Sequence, residues 1–121
     1  MQTIAFVATS QPDRSKSFYS EILKFTLIED SPYALVFDAN GTMLRIQKVE
    51  NVVLAPYTAL GWKVPDIQGK VQELGAMGVT MERFQWIDQD AAGVWTTPDG
   101  SGVSWFRDPD GNLLSLTQFN A

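Results

Sequence analysis

A nine-residue pattern occurs twice in the chain and limits the folds that it can adopt. Residues 38–46 read Asp-Ala-Asn-Gly-Thr-Met-Leu-Arg-Ile, and residues 108–116 read Asp-Pro-Asp-Gly-Asn-Leu-Leu-Ser-Leu. Each copy is typical of a hairpin turn followed by a strand, because Asn40-Gly41 and Asp110-Gly111 supply the positive φ angles of tight turns. The repeat therefore predicts a fold built from two similar halves.

The two halves also share an order of elements. Helical spacing of apolar residues predicts a helix over residues 14–23 in the first half and over residues 67–77 in the second. The predicted strands, bounded by turn residues, lie at 3–9, 25–29, 33–37, 42–48, 58–64, 79–85, 94–97, 103–107 and 112–119. Residues 85–92 are polar and irregular, and they are predicted to form a mobile flap. The order strand, helix, strands thus occurs twice, and we predict two βαβββ modules.

Length and composition favour one domain. A chain of 121 residues can bury roughly two thirds of its unfolded surface without disulfides. We therefore predict a single domain over residues 1–121. It consists of module 1 (about 1–50), a connector (about 51–57) and module 2 (about 58–121).

The composition excludes several classes of site and partner. Cysteine and histidine are both absent, so thiolate chemistry, zinc-finger spacings and an imidazole general base are excluded. The formal net charge is −5 and basic residues do not cluster, which argues against a nucleic-acid partner. No stretch approaches the length of a membrane span, and the first residues lack a signal-peptide pattern. We expect a cytoplasmic protein without a membrane partner.

Three features of the chain resemble the vicinal oxygen chelate superfamily, which includes glyoxalase I, bleomycin-resistance proteins and extradiol dioxygenases. They are the paired βαβββ pattern, Phe18-Tyr19 in the first helix, and the final motif Trp105-Phe-Arg-Asp-Pro-Asp-Gly-Asn-Leu-Leu-Ser-Leu116. The resemblance covers essentially the whole chain. It implies an α+β fold in which the two modules form a half-open cup of mixed β-sheet with helices outside. It also implies a homodimer and a ligand inside the cup, with a divalent metal in the enzymes.

The resemblance places up to four metal ligands in the cup, a histidine on the first strand of each module and a glutamate on the last. The matching positions in this chain are Ile4, Ala59, Arg45 and Ser115. Two of these side chains have no donor atom, arginine is cationic, and serine alone is a weak ligand. We therefore expect no metal or other cofactor, while an Mg²⁺ or Ca²⁺ site built from carboxylates stays open. Residues 108–112 resemble a calcium loop but lack the twelve-residue span of an EF-hand, so we interpret them as a turn.

Strand periodicity extends these four positions to a predicted ligand-binding surface. Side chains alternate between the two faces of a strand, so residues two apart share a face. The predicted cup lining is Ile4, Phe6, Ala8, Met43, Arg45, Gln47, Ala59, Gly61, Lys63, Leu113, Ser115 and Thr117. The predicted core-facing neighbours are Leu44, Ile46, Leu60, Trp62, Val64, Leu114 and Leu116. A mostly apolar wall with few polar groups is typical of a small-molecule pocket.

Arg45 is the candidate anchor within this lining. A guanidinium offers a two-pronged donor face to a carboxylate, phosphate or carbonyl, and the alternative is a structural ion pair. Lys63 either adds to the positive electrostatic potential around Arg45 or is simply solvated. The ligand is therefore predicted to be anionic or carbonyl-bearing.

All four tryptophans lie in module 2. Aromatic faces can stack on flat or cationic ligands. We interpret Trp62 and Trp105 as core or dimer-seam residues. Trp86 and Trp95 flank the irregular segment and are candidate ligand contacts, with a purely structural role as the alternative.

Three functions fit the sequence. The first is a metal-independent small-molecule binder of unknown specific activity, which the intact scaffold and the missing metal ligands favour. The second is a lyase or isomerase of the glyoxalase type, or a dioxygenase, with an atypical metal site. The third is a structural or interaction protein whose cup is filled by large side chains such as Ile4, Phe6 and Met43. The spacing of carboxylates identifies no catalytic pair.

Overall fold

A computed structural model describes residues 1–120 of the chain. Module 1 contains β1 (Ile4–Thr9), α1 (Pro12–Ser17), a π-helical turn (Phe18–Ile22), β2 (Thr26–Asp30), β3 (Ala34–Ala39) and β4 (Thr42–Lys48). Module 2 contains β5 (Leu60–Lys63), α2 (Ile67–Ala76), β6 (Trp95–Thr96), β7 (Gly102–Arg107) and β8 (Leu113–Gln118). Both modules follow the order strand, helix, three strands, so the predicted α+β fold with two βαβββ modules is confirmed.

Each module folds into a four-stranded mixed sheet, with the orders β1-β4-β3-β2 and β5-β8-β7-β6. The first strand of each module pairs in parallel with the last strand. The last strand pairs antiparallel with the strand that precedes it in the chain. This shared topology explains the repeated pattern, because each copy supplies the hairpin turn and the closing strand of its sheet.

One hydrophobic core joins the two modules. The ring centroids of Phe18 in module 1 and Phe106 on β7 are 6.4 Å apart, and those of Phe25 and Trp62 are 5.6 Å apart. Most predicted core-facing residues are buried, namely Leu44, Ile46, Val64, Leu114 and Leu116. Leu60 and Trp62 are half-buried. Burial follows the predicted alternation of faces along β4 and β5, whereas residues 113–116 of β8 are all buried.

The helix of module 1 differs from the prediction in its second part. Apolar spacing predicts one helix over residues 14–23, but Phe18–Ile22 form a π-helical turn in which Leu23 N donates to Phe18 O at 3.0 Å. The chain then leaves the helix through Lys24, which has a φ of +62°. Among residues 1–120, no helix has the length and apolar character needed to cross a membrane.

The strand predicted over residues 79–85 is wrong. This segment lies beside β7, and Glu82 N donates to Trp105 O at 2.7 Å. The same edge of β7 is also used by β6, which pairs with Gly102 and Val103. Because β6 and the segment 79–85 each hydrogen-bond to a different part of the same edge of β7, neither pairs with it over many residues.

The repeated turn of module 2 connects the modules through the buried carboxylate of Asp108. Asp108 Oδ2 accepts hydrogen bonds from Tyr19 Oη at 2.7 Å and from Asn112 Nδ2 at 2.8 Å. Asn112 Nδ2 also donates to Ala8 O on β1 at 2.9 Å. Burial raises the pKa of Tyr19, and the neighbouring Asp108 carboxylate raises it further.

Asp110 makes the second connection from this turn. Its carboxylate accepts from Thr9 Oγ1 at 2.5 Å, from Ser10 N at 2.9 Å and from Ser15 Oγ at 3.2 Å, at the junction of β1 and α1. Burial acts to raise the pKa of Asp110, but the hydrogen bonds outweigh it and hold the pKa below its usual value. The interpretation of residues 108–112 as a turn is confirmed, and protein donors occupy its carboxylates.

Candidate functional site

The alternation of strand residues gives each sheet a helix face and a cup face, the cup face being the one that bears the predicted lining residues. In module 1, Phe6 of β1 lies opposite Arg45 of β4, which lies opposite Val36 of β3. Ile4 lies opposite Met43 at the preceding pair. The exposed fraction is 43% for Ile4, 50% for Phe6 and 43% for Met43. The cup face of module 1 is therefore an open, largely apolar surface.

The cup face of module 2 combines the buried Ser115 with the exposed Gly61 and Lys63. Gly61, Ser115 and Trp105 form one row across β5, β8 and β7. Lys63 and Thr117 belong to the next row. A Cβ at Gly61 would collide with Ser115 Oγ, so a larger residue at this position would require the serine hydroxyl to shift.

A cavity of about 450 Å³ lies at the cup face of module 2. We call it the aromatic pocket, because five aromatic side chains line it: Tyr57, Phe84, Trp86, Trp95 and Trp105. Its wall is completed by Ala55, Pro56, Thr58, Ile87, Arg107 and Leu113. The volume falls in the range of pockets that hold drug-sized ligands.

The rings of the aromatic pocket are positioned by contacts with one another. Trp105 stacks on Trp95 with centroids 6.4 Å apart and an interplanar angle of 26°, and it meets Phe84 edge-on at 5.4 Å. Phe84 also lies 4.8 Å from Trp86. Trp105 Nε1 donates to Thr58 Oγ1 at 3.1 Å, which fixes the indole. The result is a preformed aromatic wall from which Trp86 projects, 79% exposed.

Arg107 is the charged side chain in the wall of the aromatic pocket. Its Nε donates to Glu82 Oε1 at 2.5 Å, and a terminal nitrogen donates to Gly111 O at 2.8 Å. A guanidinium has five N–H donors, so further donors are available to a ligand oxygen. Because Glu82 already balances the charge of Arg107, the pocket suits a neutral carbonyl better than an anion.

The segment that carries Trp86 is irregular, as predicted, and it is hydrogen-bonded to its surroundings. Gln89 accepts from Phe84 N at 2.8 Å, and its side-chain amide donates to two backbone carbonyls at 2.8 and 3.1 Å. Asp90 accepts from Val94 N at 2.9 Å. Burial acts to raise the pKa of Asp90, but its hydrogen bonds outweigh burial and lower the pKa overall. The mobility of this segment stays a prediction.

Some of the predicted ligand-binding residues line a cavity, and these are divided among three separate cavities. Trp86, Trp95 and Leu113 line the aromatic pocket. Ile4 and Met43 line a cavity of about 430 Å³ on the sheet of module 1. A third cavity, of about 580 Å³, contains Lys63 at the end of β5. Outside the walls of these three cavities lie Phe6, Arg45, Gln47, Ala59, Ser115 and Thr117.

Arg45 is half-buried on β4. Among residues 1–120 it has no ion-pair partner and makes no side-chain hydrogen bond. The structural ion pair within the chain, the alternative to a ligand anchor, is therefore not observed in the described part of the chain. Its role as an anchor stays a prediction.

Trp105 and Phe84 are central to the aromatic pocket but are not among the ligand-binding residues predicted from the sequence. Trp105 is interpreted from the sequence as a core or dimer-seam residue, whereas its indole lies on the cup face, half-buried. The strand register would have placed Trp105 on the cup face, because Trp105 pairs with the predicted lining residue Ser115 and paired residues share a face. Phe84 has no such register, since its segment is not a strand.

The positions that match the metal ligands of the resemblance do not fit a metal. Ile4 and Ala59 present no donor atom, and the cationic Arg45 would repel a metal ion. Phe6, rather than Ile4, lies opposite Arg45 in the sheet. Within residues 1–120 there is no group of three or more His, Cys, Asp or Glu side chains arranged to hold a metal ion. The residues at these positions therefore do not form the metal site that the resemblance implies.

Residues 2–116 match the family model described as the Glyoxalase/Bleomycin resistance protein/Dioxygenase superfamily. The chain belongs to this superfamily. Superfamily membership agrees with the paired modules and with the final motif at residues 105–116. A comparison with curated protein sequences finds no match.

Solved structures share the superfamily fold with this chain. The bleomycin resistance determinant encoded on transposon Tn5 gives a TM-score of 0.77 at 17% identity, covering 100% of this chain and 99% of that chain. Lactoylglutathione lyase from Agrobacterium tumefaciens gives 0.73 at 16% identity, with coverages of 98% and 94%. TnmS3, an antibiotic binding protein from Streptomyces sp. CB03234, gives 0.70 at 21% identity, with coverages of 98% and 96%. At these identities the likeness establishes the fold and leaves the activity open.

Proposed function

We propose that this superfamily member is a metal-independent small-molecule binder and that its aromatic pocket holds a flat, carbonyl-bearing aromatic ligand. The observation that carries the proposal is the preformed wall of Phe84, Trp86, Trp95 and Trp105 around a cavity of about 450 Å³. Offset-stacked and edge-on ring pairs each contribute about 0.5–1.5 kcal/mol beyond the area that they bury. A ligand ring inserted beside Trp86 gains contacts of this kind.

Arg107 supplies the polar contact of the proposed complex. Two of its donors bind Glu82 and Gly111, and another is available for a ligand carbonyl. This contact orients the ligand, while the aromatic rings supply most of the buried area. An anionic ligand anchored by the half-buried Arg45 on the sheet of module 1 is the alternative within the same proposal.

Two structural relatives support binding as the function. One is named as a bleomycin resistance determinant and another as an antibiotic binding protein. A third is named as a lactoylglutathione lyase, so the same scaffold also occurs in an enzyme. The enzyme alternative lacks support in this chain, because Ile4 and Ala59 offer no donor atoms where the resemblance requires metal ligands. A collapsed cup is disfavoured by cavities of about 430 and 450 Å³.

We also propose that the protein is a homodimer in which a second copy covers the cup face of module 1. Ile4, Phe6 and Met43 expose 43 to 50% of their side chains on this face. An exposed apolar patch of this kind favours association. The cytoplasmic location stays a prediction from the sequence.

The test of the aromatic pocket uses 9-fluorenone, a flat aromatic ketone, and the four indole N–H signals of the ¹⁵N-labelled protein. Trp86, Trp95 and Trp105 line the pocket, whereas Trp62 does not. We expect the first three signals to shift during the titration and the Trp62 signal to remain in place. The titration is repeated after treatment with EDTA, because chelation does not affect a metal-independent site.

Substitution at Trp86 tests the assignment further. Trp86→Ala removes one ring contact and should weaken the binding of 9-fluorenone about threefold to tenfold. Tyr33→Ala is the matched control, because Tyr33 is also 79% exposed and lies outside the pocket. Equal affinities of the two variants, or loss of binding after EDTA, would contradict the proposal.

A further inference from the structure

The two repeated turns make unequal contacts with the opposite module. The turn of module 2 is hydrogen-bonded to the β1–α1 junction through Asp110 and Asn112. The turn of module 1 faces the matching β5–α2 junction. In this turn Asn40 occupies the position that Asp110 has in the other copy of the repeat. The hydrogen bond of this turn is internal, from Gly41 N to Asp38 Oδ1 at 2.7 Å. Asn40 itself makes no side-chain hydrogen bond within residues 1–120, so its side chain does not connect the two modules as that of Asp110 does.

A cavity of about 580 Å³ lies where the hydrogen-bonded contact is missing. We call it the inter-module crevice. Its apolar floor consists of Leu23, Phe25, Trp62, Val64, Leu74 and Leu116. Its polar rim consists of Asn40, Lys63, Asp66, Lys70 and Glu73. The crevice shares no lining residue with the aromatic pocket, so the two are separate sites.

The charges at the rim leave one ammonium group without a partner. Glu73 lies 3.4 Å from Lys70 Nζ and 3.6 Å from Lys24 Nζ. Asp66 caps α2 by accepting a backbone N–H at 3.1 Å. Lys63 is exposed and forms no ion pair with any residue among 1–120. Lys70 already pairs with Glu73, so of the two lysines at the rim Lys63 is the one left to pair with a ligand carboxylate.

The floor of the crevice offers ring faces. Phe25 and Trp62 lie 5.6 Å apart with an interplanar angle of 35°, and both are half-buried. Aromatic rings that retain exposed area favour contact with a further ring. The crevice thus combines an aromatic floor with an unpaired cation and a free side-chain amide at its edge.

We propose that the inter-module crevice is a second ligand site, specific for an aromatic monocarboxylate. The ligand ring packs on Phe25 and Trp62, and its carboxylate accepts hydrogen bonds from Lys63 Nζ and Asn40 Nδ2. Such a ligand contacts both modules and supplies the connection that Asp110 provides on the opposite side.

The test is a titration of the ¹⁵N-labelled full chain with 1-naphthoate, followed through the indole N–H signals. We expect the Trp62 signal to shift, because Trp62 is the tryptophan of the crevice. Binding to the folded state should also raise the melting temperature in proportion to the logarithm of the 1-naphthoate concentration once the site is saturated. Neutral 1-naphthalenemethanol should bind about tenfold more weakly, because it lacks the charge that Lys63 recognises.

Substitution of Lys63 tests the carboxylate contact. Lys63→Gln should weaken the binding of 1-naphthoate about tenfold, so that it binds no more tightly than the neutral alcohol. Lys63→Arg should retain most of the affinity for 1-naphthoate. Lys16→Gln is the matched control, because Lys16 is a partly exposed lysine of module 1 that pairs with Asp30. It removes the same charge outside the crevice and should leave binding unchanged.

The outcomes separate the two sites. A Trp62 shift that is weakened by Lys63→Gln and not by Lys16→Gln supports the second site. Shifts confined to Trp86, Trp95 and Trp105 would overturn it and leave the aromatic pocket intact. A Trp62 shift that is insensitive to Lys63→Gln, or the absence of any Trp62 shift, also overturns the proposal.

Discussion

Ser104 is fully buried on the helix face of β7, and its Oγ has no hydrogen-bond partner among residues 1–120. A buried hydroxyl that loses water without gaining a partner costs about 1–3 kcal/mol. We therefore expect Ser104→Ala to raise the free energy of unfolding by about 1 kcal/mol. The measurement is urea denaturation at pH 7.

Ser101 provides the matched control for this prediction. It is also buried, but its Oγ accepts a hydrogen bond from Asn120 N at 3.1 Å. Ser101→Ala leaves that donor without its partner and should lower the free energy of unfolding by about 1 kcal/mol. If the free energy of unfolding changed with the same sign in both serine variants, the missing hydrogen bond of Ser104 would not explain its effect on stability.

At the residue scale, the sequence predicts which face of a strand a side chain occupies but not which cavity it reaches. Alternation correctly assigns Leu44 and Leu116 to the core. It does not show that Leu113 joins Trp86 in one cavity while Arg45 lies elsewhere. That grouping depends on the connector and on the segment before β6, whose positions follow no periodic pattern.

The turn at residues 108–112 is hydrogen-bonded to the β1–α1 junction of module 1, and the charged carboxylate of Asp110 accepts several of these bonds. Asp110→Asn should lower the free energy of unfolding at pH 7 by about 1–2 kcal/mol, because hydrogen bonds to a charged acceptor are lost. The pKa of Asp110 is lowered in the folded state, so the stabilisation is present above the unfolded pKa of about 4. It is lost as the pH falls through the lower, folded pKa.

Urea denaturation of wild type and Asp110→Asn between pH 7 and pH 2 checks this prediction. The difference between the two proteins should be largest above about pH 4 and should narrow below it. Glu50→Gln, at an exposed carboxylate, is the control and should follow wild type at every pH. A difference that stays constant from pH 7 to pH 2 would contradict the role assigned to the carboxylate.

At the element scale, the sequence predicts the turn but not its partners. The Gly-containing pattern identifies the turn at residues 108–112, whereas the donors to Asp110 lie about one hundred positions earlier in the chain. The wrong strand over residues 79–85 has a similar cause. Its apolar pattern is that of a strand, but β6 occupies part of the edge with which it would pair.

At the scale of the whole molecule, the open cup face of module 1 predicts a homodimer. Phe6→Glu places a charge in the proposed interface, and we expect it to halve the molar mass measured by light scattering after size exclusion. Phe6 is 50% exposed, so the folded chain should tolerate the change. Tyr33→Glu, at an exposed aromatic residue away from that face, should leave the dimer intact. A wild-type protein that is monomeric at micromolar concentration would contradict the prediction.

The paired modules and their order of elements are readable from the repeat because both are encoded locally, in turn residues and strand periods. The inequality between the two contacts that join the modules is not readable, since Asp110 in one turn accepts from donors that are distant in the sequence, while Asn40 makes no side-chain hydrogen bond within residues 1–120. The inter-module crevice lies at the side where this contact is missing. The shared scaffold alone does not specify a function.

Metal independence is tested by the metal content of the protein purified without a tag or chelator, followed by melts with added Ni²⁺, Zn²⁺, Mn²⁺, Mg²⁺ and Ca²⁺. A metal that binds the folded state raises the melting temperature by mass action. A metal-independent binder predicts no stoichiometric metal and no shift with any of the five ions. One tightly held metal ion per chain, with a higher melting temperature when it is added, would rule out metal-independent binding and favour the enzyme alternative.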